Sequence, residues 1–480
     1  MPTRGGVARI SARAIVGVVG VAVAAVTIAG AALLPLPHRA VTPPASTVSP
    51  VATDQQRVCA GPLLALAADS TAATAASAFG RVTVISGTSQ GGPIPQTSAL
   101  NAVDDTEAGR FGAPRTVTVP AEPGATQPPE LAASQLQQAS LPDLSGLAAS
   151  SCDEAASESW LVGGATNLGQ TSLVLLSNPS SVQATVNLTI YGESGIVDAP
   201  AATGIVVPAG TQHVVPLAGL APSVTAPVVH VQAIGGRVLA SMQQSFVTGL
   251  EPGGAELEGP TTTPSTHQVI AGVTVRSLAT LQASQSGEGY GPDLPAARIF
   301  VPGNKAATVR IGVVGETGTI AGNSISATVQ PGVVTEVPLD HLADGDFTVM
   351  IDATQPVVAA ARTSIVGTAA KDFAWFVASP PLNGSFLAAV AAGPGATLHL
   401  ANDSEKDVTA TVTNPSGVAS KVTVPAQGGV GVAAPAAGIY RVESGNPVTA
   451  SVSYVGDGLM TSFAINPPGP LATSVTVYPK

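Results

Sequence analysis

The chain has 480 residues, of which 45% are apolar, only 10% charged and 3% aromatic, with 52 Gly and 41 Pro. That length exceeds one ordinary core and predicts three or four domains, while Val and Thr favour strands and frequent Gly and Pro interrupt helices. A formal net charge of -11 makes a poor counterion for phosphate backbones, so no nucleic acid is expected as partner.

Arg4, Arg9 and Arg13 precede a charge-free run from Ala14 to Leu34, and no acidic residue occurs before Asp54. At ~1.5 Å per residue this run reaches ~30 Å, the thickness of a bilayer core. The reading is a transmembrane anchor over 14–34, with a cytoplasmic N-terminus over 1–13 by the positive-inside rule. The body is then extracytoplasmic and the protein a single-pass component of the cell membrane. The alternative is secretion after signal cleavage near Ala29-Gly-Ala31. A Pro/Thr-rich linker follows over 35–57, a composition that cannot bury a core.

In residues 58–157, Arg81-Val-Thr-Val-Ile85 and Arg115-Thr-Val-Thr-Val119 alternate as strands do. This region reads as extra strands packing on the first repeat, with an independent domain as the alternative. Cys59 and Cys152 are the two cysteines of the chain. Only one intramolecular pairing is open to them, and an oxidising compartment favours it; two free thiols are the other possibility.

Three sets of landmarks then recur in one order. Short apolar strands lead to Leu173-Val-Leu-Leu-Ser-Asn-Pro179, Arg298-Ile-Phe-Val-Pro-Gly-Asn304 and Thr397-Leu-His-Leu-Ala-Asn-Asp403. Turns follow at Val206-Val-Pro-Ala-Gly210, Val329-Gln-Pro-Gly332 and Val424-Pro-Ala-Gln-Gly428. Paired-strand patterns close each unit around Gly235-Gly236, Gln355-Pro356 and Asn446-Pro447. The repeats are placed at 158–265, 266–383 and 384–480. The fold class expected is all-β: tandem antiparallel β-sandwich (immunoglobulin-like) modules, of about seven strands each, after a single N-terminal transmembrane helix.

Candidate chemistry is sparse. Gly87-Thr-Ser-Gln-Gly91 fits a nucleophile elbow around Ser89, but Gly92-Pro-Ile-Pro95 cannot begin the helix that motif needs. His38, His213, His230, His267, His341 and His399 lack zinc-ligand spacing; His230 and His399, in alternating strands, read as satisfied or solvent-facing. The acidic groups Asp104-Asp105 with Glu107, Asp344 with Asp346, and Asp403, Glu405 and Asp407 read as solvated turns, not calcium loops. No catalytic, cofactor-binding or metal residue is assigned.

An N-terminal apolar segment, Cys59 before the first strands, Cys152 upstream of Trp160-Leu-Val-Gly-Gly164, and the Leu-x-Leu-x-Asn-Pro units resemble a family of actinobacterial envelope proteins of unknown function. The resemblance implies a secreted or membrane-anchored β-protein and carries no catalytic residues. The function expected is a non-enzymatic envelope protein, a structural spacer or interaction platform. Its partners would be the membrane, through the N-terminal helix, and an unknown envelope protein or polysaccharide. The rival is a carbohydrate-binding or carbohydrate-hydrolysing protein. A binding version would gather several of Trp160, Tyr191, Tyr290, Trp375, Tyr440 and Tyr454 on one exposed face.

Overall fold

The computed structural model describes residues 17–27, 46–48, 52–66, 76–125, 128–141, 144–285, 293–316, 323–467 and 475–477. Two compact units are present, one from 1–50 with 472–480 and the other from 51–471. In the first, a helix runs over 17–27, and Ser46–Val48 pairs antiparallel with Val475–Val477. No helix among the described residues is long and apolar enough to cross a membrane. The remainder of the expected anchor, 14–16 and 28–34, lies outside the described residues, as does His38.

The second unit is mainly β, built from several antiparallel sheets. Its strands show period-two burial where one face meets a core: Ala184–Gly192 alternates buried and half-buried without a break, and Ala307–Gly315 alternates buried with exposed and then half-buried residues. This is the pleat expressed as packing.

Each repeat unfolds the same eight-strand plan. In the second repeat the strands are Ser265–Val275, Ala296–Phe300, Ala307–Gly315, Asn323–Val329, Thr335–Pro338, the 22-residue Gly345–Val366 and Lys371–Val377. The long strand fills two roles. Its first half pairs with the first and third strands, and its second half with the second and last. Gly438–Gly456 repeats this in the third repeat. In the first repeat the long strand is broken into Val228–Gly235 and Leu239–Thr248.

The dipeptides read as hairpin turns are therefore sheet crossings. At Gln355-Pro356 and Asn446-Pro447 one continuous strand leaves one sheet and enters the other. Because the sheets share that strand, repeats two and three form near-closed barrels around single cores. The strand order is fourth-third-sixth-first in one sheet and fifth-second-seventh-eighth in the other. An immunoglobulin domain instead joins its first, second, fifth and fourth strands, so that part of the expectation is corrected.

The region before the repeats contributes three-stranded sheets, one of Leu144–Ser151, Leu131–Leu141 and Thr83–Thr88, the other of Gln55–Cys59, Arg115–Val119 and Gln96–Ala99. It packs on the first repeat and also on the third. Ile85 and Ala132 meet Leu387, Ala389 and Ile439, and Ser134 Oγ donates to Ala389 O at 2.8 Å. The unit thus has four sectors in a propeller-like arrangement, with the last strand of every repeat and Leu144–Ser151 converging at its middle. The Cys59–Cys152 disulfide is formed and fastens the first sector internally.

Candidate functional site

Backbone register identifies equivalent seats in the three repeats. Leu175 pairs with Val214 and Ser241, Arg298 with Glu336 and Ala360, and His399 with Gly431 and Ser451. All three side chains leave their own sheet toward the preceding sector. Leu175 enters an apolar cluster with Ala60, Leu63 and Leu64 of the first sector. In the later repeats the same seat holds a charged or titratable group, and the chemistry of the joint changes with it.

At the joint between repeats one and two, Arg298 is 1% exposed. It donates to Gly164 O at 2.9 Å, Pro227 O at 3.0 Å and Glu336 Oε1 at 2.7 Å, and its guanidinium lies 4.5 Å from the Trp375 ring centre. Burial pulls the Arg298 pKa down, and Glu336 opposes that pull. Five donors in a fixed planar fork suit a group that must satisfy backbone carbonyls and a carboxylate together. Trp160, stacked on His230 with ring centres 4.0 Å apart, and Tyr191, 4.4 Å from Phe300, complete the contact.

At the joint between repeats two and three, His399 Nδ1 lies 2.6 Å from Glu316 Oε2 and Nε2 lies 2.7 Å from Ser453 Oγ. Burial alone would lower the His399 pKa, but the Glu316 carboxylate beside it raises it. With the ring protonated, both nitrogens donate. Serine, histidine and glutamate in this order could move a proton from hydroxyl to imidazole in a hydrolase. Here all three side chains are buried, and a Cβ on Gly272 would lie 2.5 Å from the His399 ring. The backbone that a substrate would have to displace is already against the imidazole.

The centre of the ring is fastened by one carboxyl. Asp372 Oδ2 accepts from Leu147 N at 2.8 Å and Met460 N at 3.1 Å; Oδ1 accepts from Ala255 N at 3.2 Å and Phe373 N at 3.0 Å. These donors come from all four sectors. Complete burial pushes Asp372 well above the ordinary carboxylate range, against the pull of the N–H donors. Burial also raises Glu256 and pushes Glu258 up to about 8. Glu256 Oε1 accepts from Thr461 Oγ1 at 2.8 Å, whereas Glu256 Oε2 and both Glu258 oxygens have no hydrogen-bond partner among the described residues.

The residues singled out from sequence are dispersed. Ser89 lies in a turn between Thr83–Thr88 and Gln96–Ala99, with strands on both sides. His213 Nδ1 meets Asp104 Oδ2 at 2.6 Å, and His230 Nε2 meets Glu158 Oε1 at 2.8 Å. Asp105 accepts from Ala78 N, Asp344 from Ser277 N and Leu278 N, and Asp346 pairs with Arg276. No group of three or more metal-ligating side chains is positioned to hold an ion among the described residues. Trp160, Trp375, Tyr440 and Tyr454 are buried and Tyr191 half-buried, so these do not form an exposed face; Tyr290 lies outside the described residues. His399 is not solvent-facing. Sequence reading missed Arg298, Glu316, Asp372, Glu256, Glu258 and Ser453. The available signal was a charge inside an apolar strand, as in Lys371-Asp-Phe-Ala-Trp-Phe-Val377.

The family model of a family of unknown function (DUF5719) matches residues 103–458. The chain belongs to that family. Comparison with curated proteins and with solved structures returns no match. The match begins inside the first sector, after Cys59, and runs through the three repeats nearly to the last strand. Family membership therefore covers most of the ring without supplying an activity for it.

Proposed function

We propose that this chain is a non-enzymatic interaction platform of the cell envelope, with sandwich-type β modules arranged as one rigid body. The observation that carries this reading is the use made of its reactive side chains. Arg298, His399 with Glu316, and Asp372 are all sealed between sectors and engaged with backbone or with one another. A hydrolytic reading needs two carboxyls open to one cleft; Asp372, Glu256 and Glu258, which gather at the hub, are buried, and Asp352 and Asp403, which share an open groove, are both engaged by His267. The charge-free run over 14–34 supports placement on the membrane, N-terminus inside and ring outside, with secretion after cleavage as the variant. A formed disulfide agrees with an oxidising location.

Cross-linking of the full chain in intact cells, followed by mass spectrometry of what is captured, tests the platform. The expected result is a reproducible envelope protein or polysaccharide partner. Capture of nothing beyond neighbours found with an unrelated anchored protein removes the platform and leaves only a spacer. Protease added to whole cells should cut the 35–57 linker if the ring lies outside.

A further inference from the structure

A groove of about 460 Å³ opens between repeats two and three, within the ordinary size range of ligand sites. Repeat two supplies His267, Arg310, Met350 and Asp352, and repeat three supplies Asp403 and Gln427. His267 Nδ1 lies 2.8 Å from Asp352 Oδ1, and its Nε2 lies 3.5 Å from Asp403 Oδ2. Arg310 Nη2 donates to Asp352 Oδ2 at 3.2 Å. The His267 hydrogen bond, foremost, holds the Asp352 carboxyl below its usual range, so Asp352 enters the groove as an ionised acceptor. The polar groups on this wall are oriented by one another before any ligand arrives.

Gln427 is the informative member. It has φ +46, a left-handed conformation, at the end of the turn before Gly428–Ala433. Register equates it with Gly210 of repeat one: Asn178 pairs with Thr211 as Asn402 pairs with Gly428. Gly210 has φ +67, and the corresponding turn of repeat two has Gly332 at φ +72. Glycine adopts this conformation freely, and glutamine does so at a cost. Repeat three thus departs from its own internal rule at the position where a side chain reaches this groove. That side-chain amide forms no hydrogen bond to the described residues, which leaves a donor and an acceptor facing the open space.

The geometry points to this groove as a binding site for a neutral, polyhydroxylated ligand, a short stretch of glycan chain. This rests on the platform reading and gives it a partner class. Sugar hydroxyls donate and accept at once; here Asp352 and Asp403 accept, Arg310 donates, and the Gln427 amide does both. Two carboxylates beside one already paired guanidinium disfavour phosphate and other anions. Met350 supplies an apolar surface in place of an aromatic platform.

Saturation-transfer NMR on the full chain is the test, with chitotetraose, maltotetraose, a mannose tetramer and an arabinose tetramer as probes at millimolar concentration. At least one should receive transfer, and Gln427→Gly and Asp403→Asn should each reduce it by about fivefold or more. Gln427→Gly installs the residue that repeats one and two already use, so its melting temperature should be equal or higher and the loss cannot be unfolding. The site is overturned if no probe receives transfer, if Gln427→Gly binds like the parent, or if inorganic phosphate displaces the bound probe. If cross-linking of Gln427→Gly in cells still captures the parent's partners, the groove is retired and the platform stands. If the parent captures none while the groove binds sugar, the platform fails alone.

Discussion

The two joints flanking repeat two use one seat on the second strand and fill it differently. Arg298 carries a permanent charge, spreads its donors over two sectors and rests on Trp375. His399 carries a charge that depends on a proton, engages one carboxylate and one hydroxyl, and is surrounded by glycine and small residues. A duplicated module therefore keeps its backbone and its docking direction while the fastening chemistry drifts. The first joint is closed by reach, the second by close approach.

The comparison can be broken at its common support. Asp372→Ala would strand four buried N–H donors from all four sectors, at about 1–3 kcal/mol each. The expected loss is at least ~5 kcal/mol, comparable to the stability of a whole domain. Equilibrium denaturation should show a second transition as the sectors separate, whereas a variant retaining one sharp transition would mean that the hub is not shared. Arg298→Ala comes next, at about 3–5 kcal/mol, because Glu336 and three carbonyls lose a buried partner. Hydrogen exchange should rise at Gly164, Thr225 and Ala226 and stay low around His399.

Proton linkage sharpens the contrast. Glu258 holds its proton to about pH 8 when folded and loses it near 4.5 when unfolded, so the native state binds more protons between those values. Stability conferred this way is present below 4.5 and falls as pH rises through the folded pKa. The limit is ~1.4 kcal/mol per pH unit, or about 3 kcal/mol between pH 6 and 8. Chemical denaturation across that range should show the decline, and Glu258→Gln should make it shallower. Asp372 and Glu256, also raised by burial, add slope of the same sign, and so does His399, whose raised pKa gives stability that is complete below 6.5 and disappears as pH rises through its folded value. His399→Gln should cost about 2 kcal/mol at pH 6 and make the decline shallower again. The smallest effect has the opposite sign: Gln427→Gly should stabilise by up to ~1 kcal/mol, read from the melting curve.

Periodicity and turn residues made the number and order of the repeats legible, because strands with one buried face must alternate and turns need Gly, Pro or Asn. They misled where one residue type serves two purposes. Asn178 and Asn402 are true equivalents, each giving its amide nitrogen to the carbonyl four residues on and accepting from the serine two residues on. Asn304 is not their counterpart; Val301 occupies that register. Proline at 356 and 447 marks a change of sheet, which local sequence cannot distinguish from a turn. The first sector was illegible because its partner surfaces come from residues hundreds of positions away. Asp372 was invisible for the same reason, since its donors sit at 147, 255 and 460 and no local pattern joins them.

That separation has a consequence for the order in which the molecule can be made. Leu131–Leu141 emerges early, yet the surface that covers Ala132 and Ser134 comes from Leu382–Val390, about 250 residues later. Until the third repeat arrives, the first sector presents an uncovered apolar face and the Asp372 carboxyl lacks one of its four donors. A chain stopped after Val377 would hold three sectors as an open arc with two sticky ends, and such arcs can join one another. Closure by the final repeat is thus the step that covers both ends of a self-adhesive intermediate.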